Sequence, residues 1–346
     1  MHSVHECIEL WFQVQKKHIY LKSVFNGTDD IRNQLPNEAE QFDEIDNIYK
    51  NIMSTVSCNP NVLRSCCECK RTESLQNISE QLDSCQKNLT NYLDSKRNIF
   101  ARFYFISDDE LLEFLGSSSV PNKINAQIKK LFENVQKINF NENNCAFGLC
   151  SSEGEFVHFK QKICANGDPE RWMTKIEDEI ASSLWAYTKE AIYSYGTEKR
   201  LAWITKTKTL GMNTIIGSQI WWTWRVENAY ESISHKSKDA LQKLEVTLTQ
   251  ELSDMVAMVR SSLDVITRKK VNTLLIIDIH AKDIVSSFIR ESITSSNSFE
   301  WESQLRFYWN RDENDIIVKQ CTGCFRYGYE YLGLSSRLVI TPLTDR

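Results

Sequence analysis

Residues 93–116 read LDSKRNIFARFYFISDDELLEFLG, and the second half of that stretch carries the signals of a helix start. Ser107 precedes an acidic and then apolar run, and Glu110 follows three residues later. A serine hydroxyl at that position accepts from the Glu110 N–H while the glutamate reaches back to the serine N–H, a reciprocal capping box. Ile106 and Leu111 occupy the positions of the hydrophobic staple that sets the entry angle of the chain. Asp108 and Asp109 put negative charge at the positive end of the helix dipole. Gly116 is placed for a left-handed stop. The reading is a short, strongly capped helix.

Upstream, residues 70–100 carry Leu75, Ile78, Leu82, Cys85, Leu89, Tyr92 and Ile99 at near-helical spacing. No Gly or Pro interrupts them for about eight turns. Pro36 suits the first turn of another helix over about 36–56, where its missing N–H would have no partner anyway. Phe42, Ile45, Tyr49 and Met53 give that helix one apolar face. Ile8, Trp11, Phe12, Val14, Ile19 and Leu21 mark a first helix over 8–22, ended by the turn residues Asn26 to Asp30.

Downstream, Ser117-Ser118-Ser119 reads as a short loop and 122–138 as a further helix. Residues 139–164 change character: two short apolar runs around Ser-Ser-Glu-Gly-Glu read as a β-hairpin near 145–160. Asp168-Pro169-Glu170 restarts a helix. Trp172, Ile176, Ile180, Leu184, Tyr187, Ala191 and Tyr195 form its face before Gly196. Residues 236–268 read as one helix through Leu241, Leu244, Leu248, Leu252, Met255, Val259, Leu263 and Ile266, closed by Arg268-Lys269-Lys270. Such a rod would reach on the order of 45 Å at about 1.5 Å per residue. Another helix is expected over 271–294 and a mixed, strand-containing segment over 299–330.

The 346 residues are 41% hydrophobic and 25% charged, an ordinary composition with enough apolar material for a core. Only 11 Gly and 5 Pro occur, which favours long helices over many short strands. A net charge of −5 leaves no basic footprint for nucleic acid or a membrane surface. No run of about 18 apolar residues is present. MHSVHECIEL lacks the charge and apolar regions of a signal peptide. Three Asn-x-Ser/Thr sequons, at Asn26, Asn77 and Asn88, are therefore expected to be chance matches. Eleven cysteines at irregular spacing argue for free thiols. Neither Cys321-x-x-Cys324, nor Cys66-Cys67-x-Cys69, nor the His2, His5 and Cys7 group completes a four-ligand metal site.

Several features admit a functional and a plain reading. LLIIDIH (274–280) imitates a strand carrying a metal-binding Asp278, yet its continuation fits a buried helix through Ile277, Ala281, Ile284 and Phe288. No GxxxxGK[ST] loop accompanies it. Trp221, Trp222 and Trp224 form either a docking surface or a core between helices. Glu177-Asp178-Glu179 and Asp108-Asp109-Glu110 are consecutive on helices and so point apart. No nucleophile–base set stands out.

The order of segments resembles one family. WFQVQKKHIYLKSVF (11–25) with DIRNQLPNEAEQFDEID (30–46) resembles the start of the dynein heavy-chain linker region, and LDSKRNIFARFYFISDDELLEFL its central block. SSEGEFVHF (151–159), the Trp172 helix and SQIWWTWRVENA (218–229) follow in that family's order. FEWESQLRFYW, YGYEYLG and RLVITPLTDR look like the junction with the first AAA+ module. The C-terminal third looks most like axonemal inner-arm chains of the heavy chain 10 type.

The resemblance implies a mainly α, elongated helical-bundle rod with a small β-hairpin and a short mixed C-terminal segment. It places a linker over 1–320 and the start of the first AAA+ module over 321–346, cut before the phosphate-binding loop. It implies a lever that couples ATP hydrolysis in the ring to minus-end-directed movement, in the cytoskeleton and the ciliary or flagellar axoneme. The chain alone is then expected to hold no cofactor and to be no enzyme; ATP and Mg belong to the full-length parent. Leu338, Val339, Ile340, Pro342, Leu343 and Thr344 would form part of an adenine pocket. Implied partners are the AAA+ ring of the same heavy chain, intermediate and light chains, and microtubules indirectly. Gly116–Ser119 and Gly196–Glu198 are the candidate joints. The alternatives are a free-standing helical interaction module and an unrelated cytosolic enzyme.

Overall fold

The computed structural model describes residues 2–27, 29–68, 70–116, 124–206, 210–235 and 237–334. Among these it is mainly α, with thirteen α-helices and two three-stranded antiparallel sheets. The chain divides into two compact units, Met1–Leu131 with Cys164–Thr174, and Phe132–Ile163 with Lys175–Arg346.

The first unit is built on α1 (His2–Gly27), α3 (Pro36–Cys58) and α5 (Arg71–Ile99). The short helices α2 (Asp29–Gln34) and α4 (Val62–Cys66) link them. Val14, Leu21 and Phe25 of α1 are buried together with Phe42 and Ile45 of α3 and Leu75, Leu82 and Leu89 of α5. Phe25 stacks on Phe42 with ring centroids 5.4 Å apart. A polar node sits inside this packing: His18 Nε2 lies 2.7 Å from Asp46 Oδ1, and Lys50 Nζ lies 2.5 Å from Asp46 Oδ2. After a 3₁₀ turn (Ala101–Phe105), α6 (Asp108–Gly116) starts with the expected capping box. The Ser107 N–H donates to Glu110 Oε2 at 3.2 Å, and the Glu110 N–H donates to Ser107 Oγ at 3.4 Å. Ile106 and Leu111 are both buried, as the staple requires. Phe114 stacks on Trp172, from the first turn of α8 (Pro169–Tyr195). The α7 helix (Asn125–Leu131) closes this unit's sequence before the sheet.

The second unit holds β1 (Val135–Phe140), β2 (Cys145–Ser151) and β3 (Phe156–Cys164) in the order β1-β2-β3. Its helices are the rest of α8, then α9 (Arg200–Thr205), α10 (Gly211–Ser234), α11 (Ala240–Val259), α12 (Val265–Arg290) and α13 (Phe299–Glu302). β4 (Arg306–Asn310), β5 (Asp315–Gln320) and β6 (Gly323–Arg326) form the second sheet. Trp222, Val226 and Tyr230 of α10 share one core with Leu241, Leu248, Val285, Phe288 and Trp301. Trp203, Met255, Val271 and Leu274 belong to another.

Three expectations are corrected. The helix read over 122–138 is only α7, and 135–140 is a strand. Val135 and Ile138 both face inward although three residues apart, because the β1–β2 register shifts between Val135 and Lys137. That bulge gives a strand the spacing of a helix. The single helix read over 236–268 is two. α11 ends at Val259, and Asp264 caps α12 by accepting from the Thr267 N–H at 3.0 Å. Arg268 belongs to α12 but donates back to the carbonyls of Val259 and Ser261, both at 3.1 Å, at the end of α11. At 20 residues, α11 is about 30 Å long. The third correction concerns sulfur. Cys7, Cys58, Cys66, Cys67, Cys85, Cys150, Cys321 and Cys324 are free, whereas Cys145 and Cys164 are disulfide-bonded.

Candidate functional site

The residues expected to line an adenine slot, Leu338, Val339, Ile340, Pro342, Leu343 and Thr344, lie outside the described residues, as do Ser117, Ser118 and Ser119. Gly116 is the last residue of α6. Gly196–Glu198 forms the turn between α8 and α9, where the N–H groups of Thr197 and Glu198 both donate to the Ser194 carbonyl. A Cβ at Gly196 would stand 3.2 Å from the Trp221 ring.

The three tryptophans divide. Trp222 is buried with its ring 5.4 Å from Trp301. Trp221 stacks on Tyr195 at 5.2 Å and donates its Nε1–H to the Ile192 carbonyl at 2.9 Å. Trp224 is 52% exposed and meets Trp221 edge-on. The cluster is mostly core, with one ring at the surface.

Asp278 lies on α12, and its carboxylate meets Arg200. Arg200 is the first residue of α9 and draws on four other helices. Its Nη2 donates to Asp278 and, at 3.1 Å, to Ser218 Oγ. Its Nη1 donates to the Tyr195 hydroxyl at 2.5 Å, and its Nε stands 3.6 Å from Glu251 Oε2. Arg225 completes the group by donating to both oxygens of Glu251 at 2.9 and 3.0 Å. Desolvation works against the Arg200 cation, but Asp278, Tyr195 and Glu251 outweigh it and raise its pKa. Burial lifts the Asp278 carboxyl above its ordinary value despite Arg200. The pair is an electrostatic tie between helices. Among the described residues, no group of three or more His, Cys, Asp or Glu is placed to hold a metal. No described helix is long and apolar enough to cross a membrane.

The other dense polar site seats residues 327–334, which leave β6 without regular structure. The Tyr327 N–H donates to the Ile316 carbonyl of β5 at 3.1 Å. The Tyr329 hydroxyl donates to Asp315 Oδ1 at 2.6 Å. Tyr329 holds φ +50, a left-handed conformation that a bulky residue keeps only when its surroundings enforce it. Tyr331 is buried and donates to Glu155 Oε2 at 2.9 Å. The other oxygen of that carboxylate, Oε1, accepts from the Gly211 N–H at 2.7 Å, at the start of α10. Burial first, and then the Glu155 charge, push the Tyr331 hydroxyl pKa up. Lys270 is buried too; desolvation lowers its pKa, and Glu155 and Asp264 oppose that. Asn134 Nδ2 donates to the Leu332 carbonyl, Gly333 takes φ +62, and Leu334 fills the space where Gly211 has no side chain. Nothing in the residues around it marks Glu155, which reads only as a turn residue of SSEGE.

The family model described as dynein heavy chain, N-terminal region 2, matches residues 1–191. The chain is 45% identical to dynein axonemal heavy chain 10 of Homo sapiens over 347 residues, 99% of this chain and 8% of that one. It is 48% identical to the Dynein-1-alpha heavy chain, flagellar inner arm I1 complex, of Chlamydomonas reinhardtii over 342 residues, 99% of this chain and 7% of that one. Identity to dynein axonemal heavy chain 1 of Homo sapiens is 38% over 341 residues, again 99% of this chain and 8% of that one. The chain thus spans under a tenth of the length of these curated relatives.

Proposed function

This chain belongs to the dynein heavy-chain family, and from that premise we propose that it is the linker segment of an axonemal inner-arm motor. In this reading residues 1–320 form the lever, and residues 321–346 begin the first AAA+ module. ATP and Mg act in the ring that follows, and Leu338, Val339, Ile340, Pro342, Leu343 and Thr344 contribute to its adenine slot. The lever couples nucleotide hydrolysis in the ring to minus-end-directed movement along microtubules. Its direct partner is the AAA+ ring of the same heavy chain, with intermediate and light chains and microtubules further off. The relatives' printed names, axonemal and flagellar, support a place in the ciliary or flagellar axoneme.

The observation that supports the reading best is the seating of residues 327–334. A lever must be joined to its drive without slack. Here the segment leading onward is held through backbone and side-chain bonds to β5, to Glu155 and to Asn134. The Tyr331–Glu155 bond is the buried one of these, and satisfied polar networks rigidify the elements they join.

The test uses the parent motor. A dye at Val246, which is 69% exposed on α11, and a second dye on the ring report their separation by energy transfer. The expected result is a transfer efficiency that changes with nucleotide state. A motor lacking residues 1–320 is expected to hydrolyse ATP without gliding microtubules. Gliding at unchanged speed by that deletion refutes the proposal.

A further inference from the structure

We infer that Glu155 is a positioning residue for this coupling, the clasp that holds Tyr331–Leu334 in register on the β2–β3 turn and the start of α10. The inference rests on the linker reading and deepens it.

The hairpin does not need this side chain. The turn is closed by backbone and serine: the Ser151 N–H donates to the Glu155 carbonyl at 2.9 Å, and the Glu155 N–H donates to Ser151 Oγ at 3.0 Å. A carboxylate buried to 6% exposure is costly where nothing requires it. Its two oxygens instead serve two elements remote in sequence. Oε1 takes the Gly211 N–H at 2.7 Å, and Oε2 takes the Tyr331 hydroxyl at 2.9 Å. Leu210, the N-cap of α10, offers no side-chain bond, so Glu155 supplies the cap from a distance. One anion thereby fixes where α10 starts and where Tyr331 lies.

The seated segment has two separate attachments. Tyr327 and Tyr329 are bound to β5 through Ile316 and Asp315. Tyr331 to Leu334 are bound through Glu155, Asn134 and the bare backbone of Gly211, where a Cβ would lie 2.3 Å from Leu334 Cγ. The first attachment ends at Tyr329, in its left-handed conformation. The clasp can therefore open while the β5 attachment stays closed, and an opened clasp leaves slack in the segment that leads to the ring.

Tyr331→Phe removes one hydroxyl, the partner of Glu155 and of the Ser151 side chain, and leaves the backbone bond of the hairpin turn and the α10 cap in place. Tyr308→Phe is its control, since Tyr308 also donates to a glutamate, Glu227 at 2.6 Å, away from the clasp. In the 346-residue chain, cleavage within 331–334 in limited proteolysis is expected to accelerate about ten- to a hundredfold in Tyr331→Phe, as for a lost bond to a charged acceptor. Cleavage over 316–327 stays unchanged. In the parent motor, Tyr331→Phe and Glu155→Gln are expected to lower the distance moved per ATP severalfold while hydrolysis persists, and Tyr308→Phe leaves that ratio alone. Unchanged cleavage at 331–334 overturns the clasp whatever the lever does. Faster cleavage with unchanged movement per ATP, or an equal loss in Tyr308→Phe, overturns the positioning role. Failure of the linker reading shows separately, as gliding by the motor that lacks residues 1–320, an experiment with no clasp variant in it.

Discussion

Replacing Arg200 by methionine keeps the bulk of the side chain and removes the charge at the meeting point of α8, α9, α10, α11 and α12. The wild-type guanidinium makes charge-assisted bonds to Asp278, Tyr195 and Ser218. Breaking a buried ion pair by removing one partner costs about 3–5 kcal/mol. Glu251 keeps Arg225, so the loss centres on Asp278. Two compact units need not unfold together. The suitable assay is therefore native-state hydrogen exchange of the α9 and α12 amides. The expected acceleration is roughly two to three and a half powers of ten. Burial already raises the Asp278 carboxyl pKa from its ordinary 3.8. A raised carboxyl destabilises the fold above its folded pKa and is relieved as pH falls through that value, when the buried group takes up a proton. The deficit of Arg200→Met should therefore shrink on acidification. Adding Asp278→Leu should restore at least half of it. Exchange within about threefold of wild type, or a double variant as unstable as the two single costs added together, refutes the argument.

Two further outcomes test the first unit and the helix starts. Burial works against the Asp46 carboxylate, but Lys50, His18 and Lys22 outweigh it and hold its pKa below the ordinary 3.8. A lowered carboxyl gives stability that is present above that ordinary value and is lost as pH falls through the folded value. Asp46→Asn should flatten the acid limb of the stability curve below about pH 4, read from thermal melts across a pH series. Ser107→Ala should cost about 1 kcal/mol through the lost cap of α6, seen as faster exchange of its first-turn amides with α5 unaffected.

Helix starts with side-chain chemistry were legible. The box at Ser107 and Glu110 and the start at Pro36 stand where the residues put them. Faces were legible mostly to within a residue: Leu93 and Thr188 are buried beside Tyr92 and Tyr187, and Cys7 and His18 beside the exposed Ile8 and Ile19, but Phe12 stands exposed. The misreadings share a cause, since apolar spacing records which residues reach a core but not the path between them. Val135 and Ile138 reach theirs across a bulge. Leu263 packs on the same core as Met255 although a turn separates them, so the rhythm of α11 runs on through its end. Glu155 was invisible because its partners lie 56 and 176 residues away. The Arg200–Asp278 pair spans 78 residues and gave no local sign either.

The buried residues of α11 are Leu241, Leu248 and Met255, each seven positions from the next. One residue added among them would swing everything beyond it by about 100° and carry the later anchors off the core. The turn over 260–264 has no such rhythm to protect, provided that Asp264 keeps its place before Thr267. Over evolutionary time, changes in chain length should collect at that corner and be purged from the helices on either side of it.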